Sequence, residues 1–522
     1  MTIFWQKICP FQNFNEFFVA LVYFVQGAGG ITAIAASLIL REELGLDFMQ
    51  IGMIGAASVI PWSIKPLYGL LTDLVPIGGF RRKPYLHIGP LIAAASFLYL
   101  ALFGHNFVSF LLPLVLANIG LGLTDVATDG FIVEQSTAKN AARLQGITQA
   151  SIRVAAFITS FFSGLLIFRE ILTPHQVYFI AAALPLMTFA ASFFIREQKV
   201  SAKLEHAVRG ELSAPFIGSL LLIFIAIIAN LIWSDFLPEL LSFNSTAITA
   251  GLWLFFFGWM AVYFRKLQKL KLTSGMIFIA LLFILLWRFN PGAGSPMFFY
   301  LKDTLGLNTE TLGFVDTASQ VASILAVILA VKFFDRIPLK KLLAATVLTA
   351  GLFGAASFAV TRPELAEAIG NFWMIDWAAT LIALPVYFFE MLFSAVLGGG
   401  FAAFWQTAIA LSPLENFLFV ETFIGASLFM LAYIPLLKFA VLITPKQAEG
   451  TNFAIITSIM NIGLALSAWA SGWLYSQLLP VGIESTAVHV PTIELLIWIN
   501  VGTSLMCLVV LPFLREKEVV RA

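Results

Sequence analysis

The chain has 522 residues, 60% of them apolar and only 11% charged, with a formal net charge of +1. A mean hydropathy of +0.93 and 52 Phe residues place it outside the range of soluble domains. Cys9 and Cys507 lie too far apart in the layout below to pair, and the 5 histidines are scattered, so neither a disulfide framework nor a metal site is expected.

Apolar runs of roughly 20 residues, each able to cross a hydrocarbon core of about 30 Å, recur along the whole length. The first, about 17–40, follows a polar start (Gln6, Lys7, Gln12, Asn13, Asn15, Glu16) and is too long for the core of a signal peptide. No cleavable leader is therefore expected. Within this run, Gly27-Ala-Gly29-Gly30 reads as close helix packing rather than phosphate binding. Runs at about 48–72, 85–104, 107–132, 147–168 and 175–195 complete a first group of six. A polar linker, Arg196 to Glu211, leads to two further runs at about 214–234 and 244–264, then to a basic loop, Arg265 to Lys271. The remaining runs fall at about 275–301, 311–332, 340–360, 416–442, 450–475 and 492–514.

The region 373–411, broken by Gly398-Gly399-Gly400, is either a re-entrant element or a pair of true crossings. The expected fold class is an all-α integral membrane protein. It has six-helix bundles at 1–200 and 273–522, two added spans within 201–272, and an apolar insert at 373–411. That gives about 14 transmembrane helices, or about 16 if the insert crosses twice. The loop Glu134–Gly146 has a counterpart in Thr444–Thr451, each leading into a helix rich in small residues, as parallel repeats around a central cavity require.

Charge bias orients the layout. With the N-terminus in the cytoplasm, only Arg41, Arg169, Lys302 and Arg362 fall in outer loops, and Lys65, Arg153, Arg288 and Lys438 fall within or at the ends of spans. The other 22 of 30 Lys and Arg lie inside, which satisfies the positive-inside rule and places both termini in the cytoplasm. A cell-membrane location follows.

A buried ionisable residue costs roughly 2.5–3.5 kcal/mol at mid-helix, so each must be paired or functional. The fourth span carries Asp125, Asp129 and Glu134; the first two are four residues apart and share a helix face. Their repulsion calls for a proton or a cation, so both are candidates for proton coupling. Arg153, one to two turns into the fifth span, is a natural partner for either, or a cation for an anionic substrate. Asp129 and Glu134 alternatively form gate ion pairs with Arg143 or the Arg81–Lys83 cluster. Arg288 precedes Asn290-Pro291-Gly292, a helix break that a membrane tolerates only beside a cavity or protein contact. Arg288 is thus the favoured substrate-facing cation, with Asn290 beside it; an ion pair with Asp316 is the structural alternative. Glu390 and Glu421 are weaker candidates for protonation. Trp62, Trp287 or Phe289 could stack on a flat ring. Lys65 reads as a snorkelling or loop-anchoring residue.

Two blocks carry a family resemblance. One is K-P-L-Y-G-L-L-T-D, residues 65–73, followed by P-I-G-G-F-R-R-K-P-Y, residues 76–85. The other is Glu449-Gly-Thr-Asn-Phe-Ala, followed by Ser458 to Asn461 and Gly463. Together they resemble the folate–biopterin transporters of the major facilitator superfamily. The resemblance implies the major facilitator fold. It also implies alternating-access transport of a folate or pterin, proton-linked or by exchange, and an inner gate comprising Lys65, Gly69, Asp73, Arg81, Arg82, Glu134 and Arg143. It carries over to Asp125, Asp129 and Glu134, which stand in a similar acidic run.

On this basis Asp125, Arg153, Arg288 and Asn290 are the expected substrate-binding residues. Asp125 would take the 2-amino and ring N–H groups of a pterin, and an arginine would clamp a glutamate carboxylate. A second resemblance, to muropeptide permeases, rests on the D-x-A-x-D run and the spans inserted between the halves. The expected partners are a small anionic substrate and the bilayer, with no nucleic acid and no cofactor, and a monomer is the expected unit. No G-x-S-x-G, H-E-x-x-H or nucleotide-binding loop is present, so an enzyme is not expected. The twofold plan favours alternating access over a channel.

Overall fold

The computed structural model describes residues 13–135, 141–199, 277–334, 337–396, 411–442 and 449–514, with single positions at 251, 254, 258 and 265. Among these residues the structure is helical, apart from turns and an isolated antiparallel bridge between Ile77 and Phe80. The two added spans expected within 201–272 and the Gly398–Gly400 break lie outside the described residues.

Local chemistry sets the helix ends. Helix α1, Phe14–Glu43, starts where the Asn13 side chain accepts from the Glu16 backbone and widens into a π-helical turn at Ile39–Glu43. An Asp47–Gln50 capping box opens α2, Phe48–Ser63. The second run is not one rod: Pro61 and Pro66 flank a break at Ile64, after which α3, Lys65–Leu74, sets off anew. Gly78 and Gly79, both at positive φ, close the tight turn to α4, Lys83–Phe103. Helices α5, Phe107–Gln135; α6, Ala141–Phe168; and α7, Pro174–Ser192, complete the first half.

The second half opens with α8, Ile277–Arg288, and α9, Gly294–Phe299, separated by the expected break at Asn290-Pro291-Gly292. It continues with α10, Thr309–Phe333; α11, Leu339–Phe353; the short α12, Pro363–Gly370; and α13, Trp373–Val396. Helices α14, Pro413–Leu442; α15, Glu449–Leu478; and α16, Val490–Val510, end it. Among the described residues, ten helices are long and apolar enough to cross a membrane, and α2 and α8 are shorter apolar helices.

Two crossings join the halves: α2 packs along α15, and α6 along α10. Lipid is as apolar as the helix surfaces, so small residues that admit close approach drive such contacts. A Cβ on Gly164 would sit 1.9 Å from the Thr309 carbonyl oxygen, and one on Gly472 would sit 2.3 Å from that of Phe48. Within the first half, Gly27 likewise lies against the Ile152 backbone, the close packing expected of its run. We call the bundle end remote from residue 13 the distal end. Both crossings meet there, along with ion pairs between the halves: Arg169 with Glu310 at 2.8 Å and with Glu390 at 2.6 Å, and Lys302 with Glu42.

Helix α13 has the length of a span, yet it stays with the distal end. Asp376 near its start accepts from Asn416 in the first turn of α14, and Glu390, fourteen residues on, accepts from Arg169 just beyond α6. Its residues Ala379, Ala383, Val386 and Tyr387 are buried, while Trp373, Trp377 and Leu381 are exposed.

Candidate functional site

The break between α2 and α3 turns Lys65 inward. Its ammonium lies 2.6 Å from Asp125 Oδ2 and 5.2 Å from the centroid of the Trp62 ring. Asp125 is 3% exposed. A lone charge there is strongly unfavourable, and an opposite charge in hydrogen-bond contact offsets the cost. One turn further along α5, Asp129 accepts a hydrogen bond from the Tyr23 hydroxyl of α1. Among the described residues no cation forms an ion pair with it.

This corrects two sequence expectations. Lys65 does not snorkel toward a headgroup, and the cation on the acidic run is Lys65 rather than Arg153. The reason is rotational: Arg153 sits on a face of α6 turned toward the second half, with its Nη2 3.6 Å from Met430 Sδ on α14 and its Nε buried without a hydrogen-bond partner.

Arg153 instead meets Arg288 at a cavity of about 430 Å³ between the halves. Arg288 donates from Nε to the Met460 carbonyl at 3.4 Å. Gly463 makes room for it, since a Cβ there would lie 2.6 Å from Arg288 Cβ. Neither arginine has a carboxylate partner among the described residues, so the alternative pair with Asp316 does not form; Asp316 accepts from Ser319 instead. The cavity is completed by Ser319, Gln320 and Ser323 of α10 and by Phe429, Met430 and Tyr433 of α14.

Beside it stands an aromatic stack. Trp287 lies nearly parallel to Phe429 and Tyr433, with centroids 5.3 and 5.8 Å away, and Phe429 and Tyr433 are 6.1 Å apart at 10°. Tyr433 shares the cavity lining with Arg153 and Arg288. The site is therefore doubly cationic, with a flat apolar wall and neutral hydrogen-bonding groups, which suits an anion bearing a planar ring.

Two expected substrate ligands are not brought to this cavity. Asn290 accepts from Ser504 at 2.8 Å and Thr503 at 3.3 Å, and its carbonyl accepts from Asn500. It thereby ties the helix break to α16, while Ser471 satisfies the freed Gly292 N–H at 3.0 Å. Asp125 lines a separate small void with Gln26, Thr124 and Thr188. Trp62, a candidate for ring stacking, donates to Asn118 at 2.8 Å, while its carbonyl accepts from Asn461 of the second half at 2.9 Å.

The loop expected to form the inner gate is organised by a residue with no signal in the sequence motif. Glu197 accepts from the backbone N–H groups of Arg81, Arg82 and Lys83 at 2.9, 2.9 and 2.7 Å. Its own charge answers the helix start at Lys83. Lys83 Nζ donates to the Phe193 carbonyl at 2.9 Å. Arg82 is buried, donates to Thr72 and fills the space that Gly130 leaves. Gly69 faces Val126 across the α3–α5 contact. The side chains of Asp73, Glu134 and Arg143 lie outside the described residues.

Comparisons with known proteins agree with this architecture. The model of the BT1 family matches residues 26–397. A folate–biopterin transporter of Synechocystis sp. is 26% identical over 94% of this chain and 79% of its own length. Folate transporter 1 of Plasmodium falciparum is 25% identical over 64% of this chain and 56% of its own. Among solved structures, a D-xylose–proton symporter aligns with a TM-score of 0.58 at 14% identity, covering 96% of this chain and 98% of that one. A structure of proton-dependent oligopeptide transporters gives 0.61 at 12%, covering 97% and 99%. At such identities the structural likeness speaks for the fold alone. The family match spans most of the sequence: the chain belongs to the BT1 family, the folate–biopterin transporters, and carries the major facilitator fold.

Proposed function

We propose that the protein is a secondary active transporter that moves an organic anion with a planar heteroaromatic ring, a folate or pterin, by alternating access. The observation that carries this is the cavity in which Arg153 and Arg288, unpaired with any carboxylate among the described residues, share lining with Phe429 and Tyr433. Its volume of about 430 Å³ falls within the range of small-molecule sites. The arginines would clamp the carboxylates, the aromatic wall would take the ring, and Ser319, Gln320 and Ser323 would meet its polar edge. The relatives named as folate transporters support the same substrate class.

Counting charges assigns the coupling role. Asp125 is paired with Lys65, whereas the partner of Asp129 among the described residues is the Tyr23 hydroxyl. Asp129 therefore carries the coupled proton. The distal end is shut by the two glycine crossings and the ion pairs between the halves. By the positive-inside bias that end faces outward, with both termini in the cytoplasm and the protein working as a monomer in the cell membrane. A muropeptide permease stays in view because of the two spans expected between the halves. It shares the anion clamp but has no use for the stacked wall.

Uptake into proteoliposomes separates these readings. Labelled folate and pterin should accumulate, faster with an inward proton gradient, while anhydro-muropeptide should not. Uptake of muropeptide alone would replace the substrate, and accumulation indifferent to the gradient would remove the proton.

A further inference from the structure

Glu43, His105 and His175 stand far apart in sequence, on separate segments of the first half. Glu43 ends α1, His105 sits in the turn between α4 and α5, and His175 lies in the first turn of α7. The fold brings them together at the distal end. A carboxylate oxygen of Glu43 and one ring nitrogen from each histidine lie within 4.8 Å of one another, and the two rings are 4.7 Å apart. We propose that these three side chains bind a divalent transition-metal ion of the zinc class.

The hydrogen bonds of His175 point to a cation. Its Nδ1 faces the Leu100 carbonyl at 3.2 Å, and its Nε2 faces Glu43 Oε2 at 2.8 Å. A neutral imidazole has one N–H and cannot donate to both oxygens. With Nδ1–H donated to the carbonyl, the Nε2 lone pair faces the Glu43 carboxylate, two acceptors that a cation held between them reconciles. A ligating histidine commonly rests its other ring nitrogen on a backbone carbonyl in this way, which fixes tautomer and ring orientation.

The donor set also fits. Two imidazoles and a carboxylate form a three-ligand zinc set with a fourth position for water, and Glu43 and His105 are exposed enough to admit it. Bonds of about 2.1 Å in a tetrahedron place donors about 3.4 Å apart, so the exposed Glu43 carboxylate would draw back from His175 by about 0.6 Å and the exposed His105 ring would turn inward to close the site. The scaffold beneath is firm, because α4 packs extensively on both α5 and α7. The site adjoins the contact between the halves, since Glu42, next to Glu43, holds Lys302.

The test uses tag-free full-length protein in nanodiscs, titrated with Zn²⁺ against a chromophoric chelator. One ion per chain should bind, with affinity falling at least about tenfold in Glu43→Gln, His105→Ala and His175→Asn and kept in His489→Asn, a histidine outside the cluster. The exposed His105 can be removed without disturbing packing, so that variant stays informative if His175→Asn misfolds. Stoichiometric binding unchanged in the His105→Ala and His175→Asn variants would overturn the proposal. So would no binding in the micromolar range, which would leave His175 as a hydrogen-bond partner of Glu43.

Discussion

Replacing Lys65 with Met tests whether Asp125 is held by one cation. At 2.6 Å the pair attracts by about 6 kcal/mol at an effective dielectric of about 20, most of it consumed by desolvating both groups. Removing the lysine alone leaves a 3%-exposed carboxylate without its counterion, at a cost of about 3–5 kcal/mol. Asp125→Asn alone strands the ammonium at a similar cost. The double variant Lys65→Met/Asp125→Asn strands neither charge, so it should lose less than the two single losses combined. The expected coupling is about 2–3 kcal/mol, near the top of the range for contacting residues. Denaturant unfolding of the four proteins in detergent micelles measures it. A parallel cycle of Asp125→Asn with Arg153→Gln should show additivity, because Arg153 meets Met430 instead. Additive losses for Lys65, or strong coupling for Arg153, would refute the assignment.

Three further outcomes follow from the geometry. Gly164→Ala should cut transport at least tenfold in a protein that still folds, since its Cβ would overlap the Thr309 carbonyl and hold the distal end ajar; labelling of cysteines placed at that end should rise, and wild-type transport would count against closure there. Asp129→Asn should abolish acceleration of uptake by external acid while substrate exchange at equal pH persists; retained acceleration would move the proton elsewhere, with the half-buried Glu421 beside Ser357 the next place to look. Glu197→Gln removes the charge behind three backbone hydrogen bonds and should lower stability by about 1.5–3 kcal/mol, read as a fall in unfolding midpoint.

The membrane makes much of this fold legible, because hydrocarbon demands long apolar runs and confines charge to loops. The same demand makes the Asn290-Pro291-Gly292 break readable beside Arg288. Rotation of helices about their axes is not written so plainly. Arg153 could face α5 or α14 with the same spacing, and only packing decides. Lys65 has the position of a span-end lysine, although Pro61 and Pro66 on either side signal that the helix breaks and turns it inward. Phe429 and Tyr433, four apart, are indistinguishable in sequence from a packing stripe until Trp287 comes alongside. Helix α13 has the apolar length of a span, and nothing local announces that Glu390 reaches Arg169. His105 and His175 meet only because two turns share one end of the bundle.

Equilibrium binding of a folate to the purified transporter, against the Arg153→Gln/Arg288→Gln double variant, tests the cavity most directly. Each lost charge-assisted contact is worth about 1.5–3 kcal/mol, so the variant should bind folate at least about a hundredfold more weakly. An uncharged pterin, held by the aromatic wall, should lose no more than about threefold. Equal folate affinity in the two proteins, or a matching loss for the uncharged ring, would contradict the assignment of the two arginines as the anion clamp.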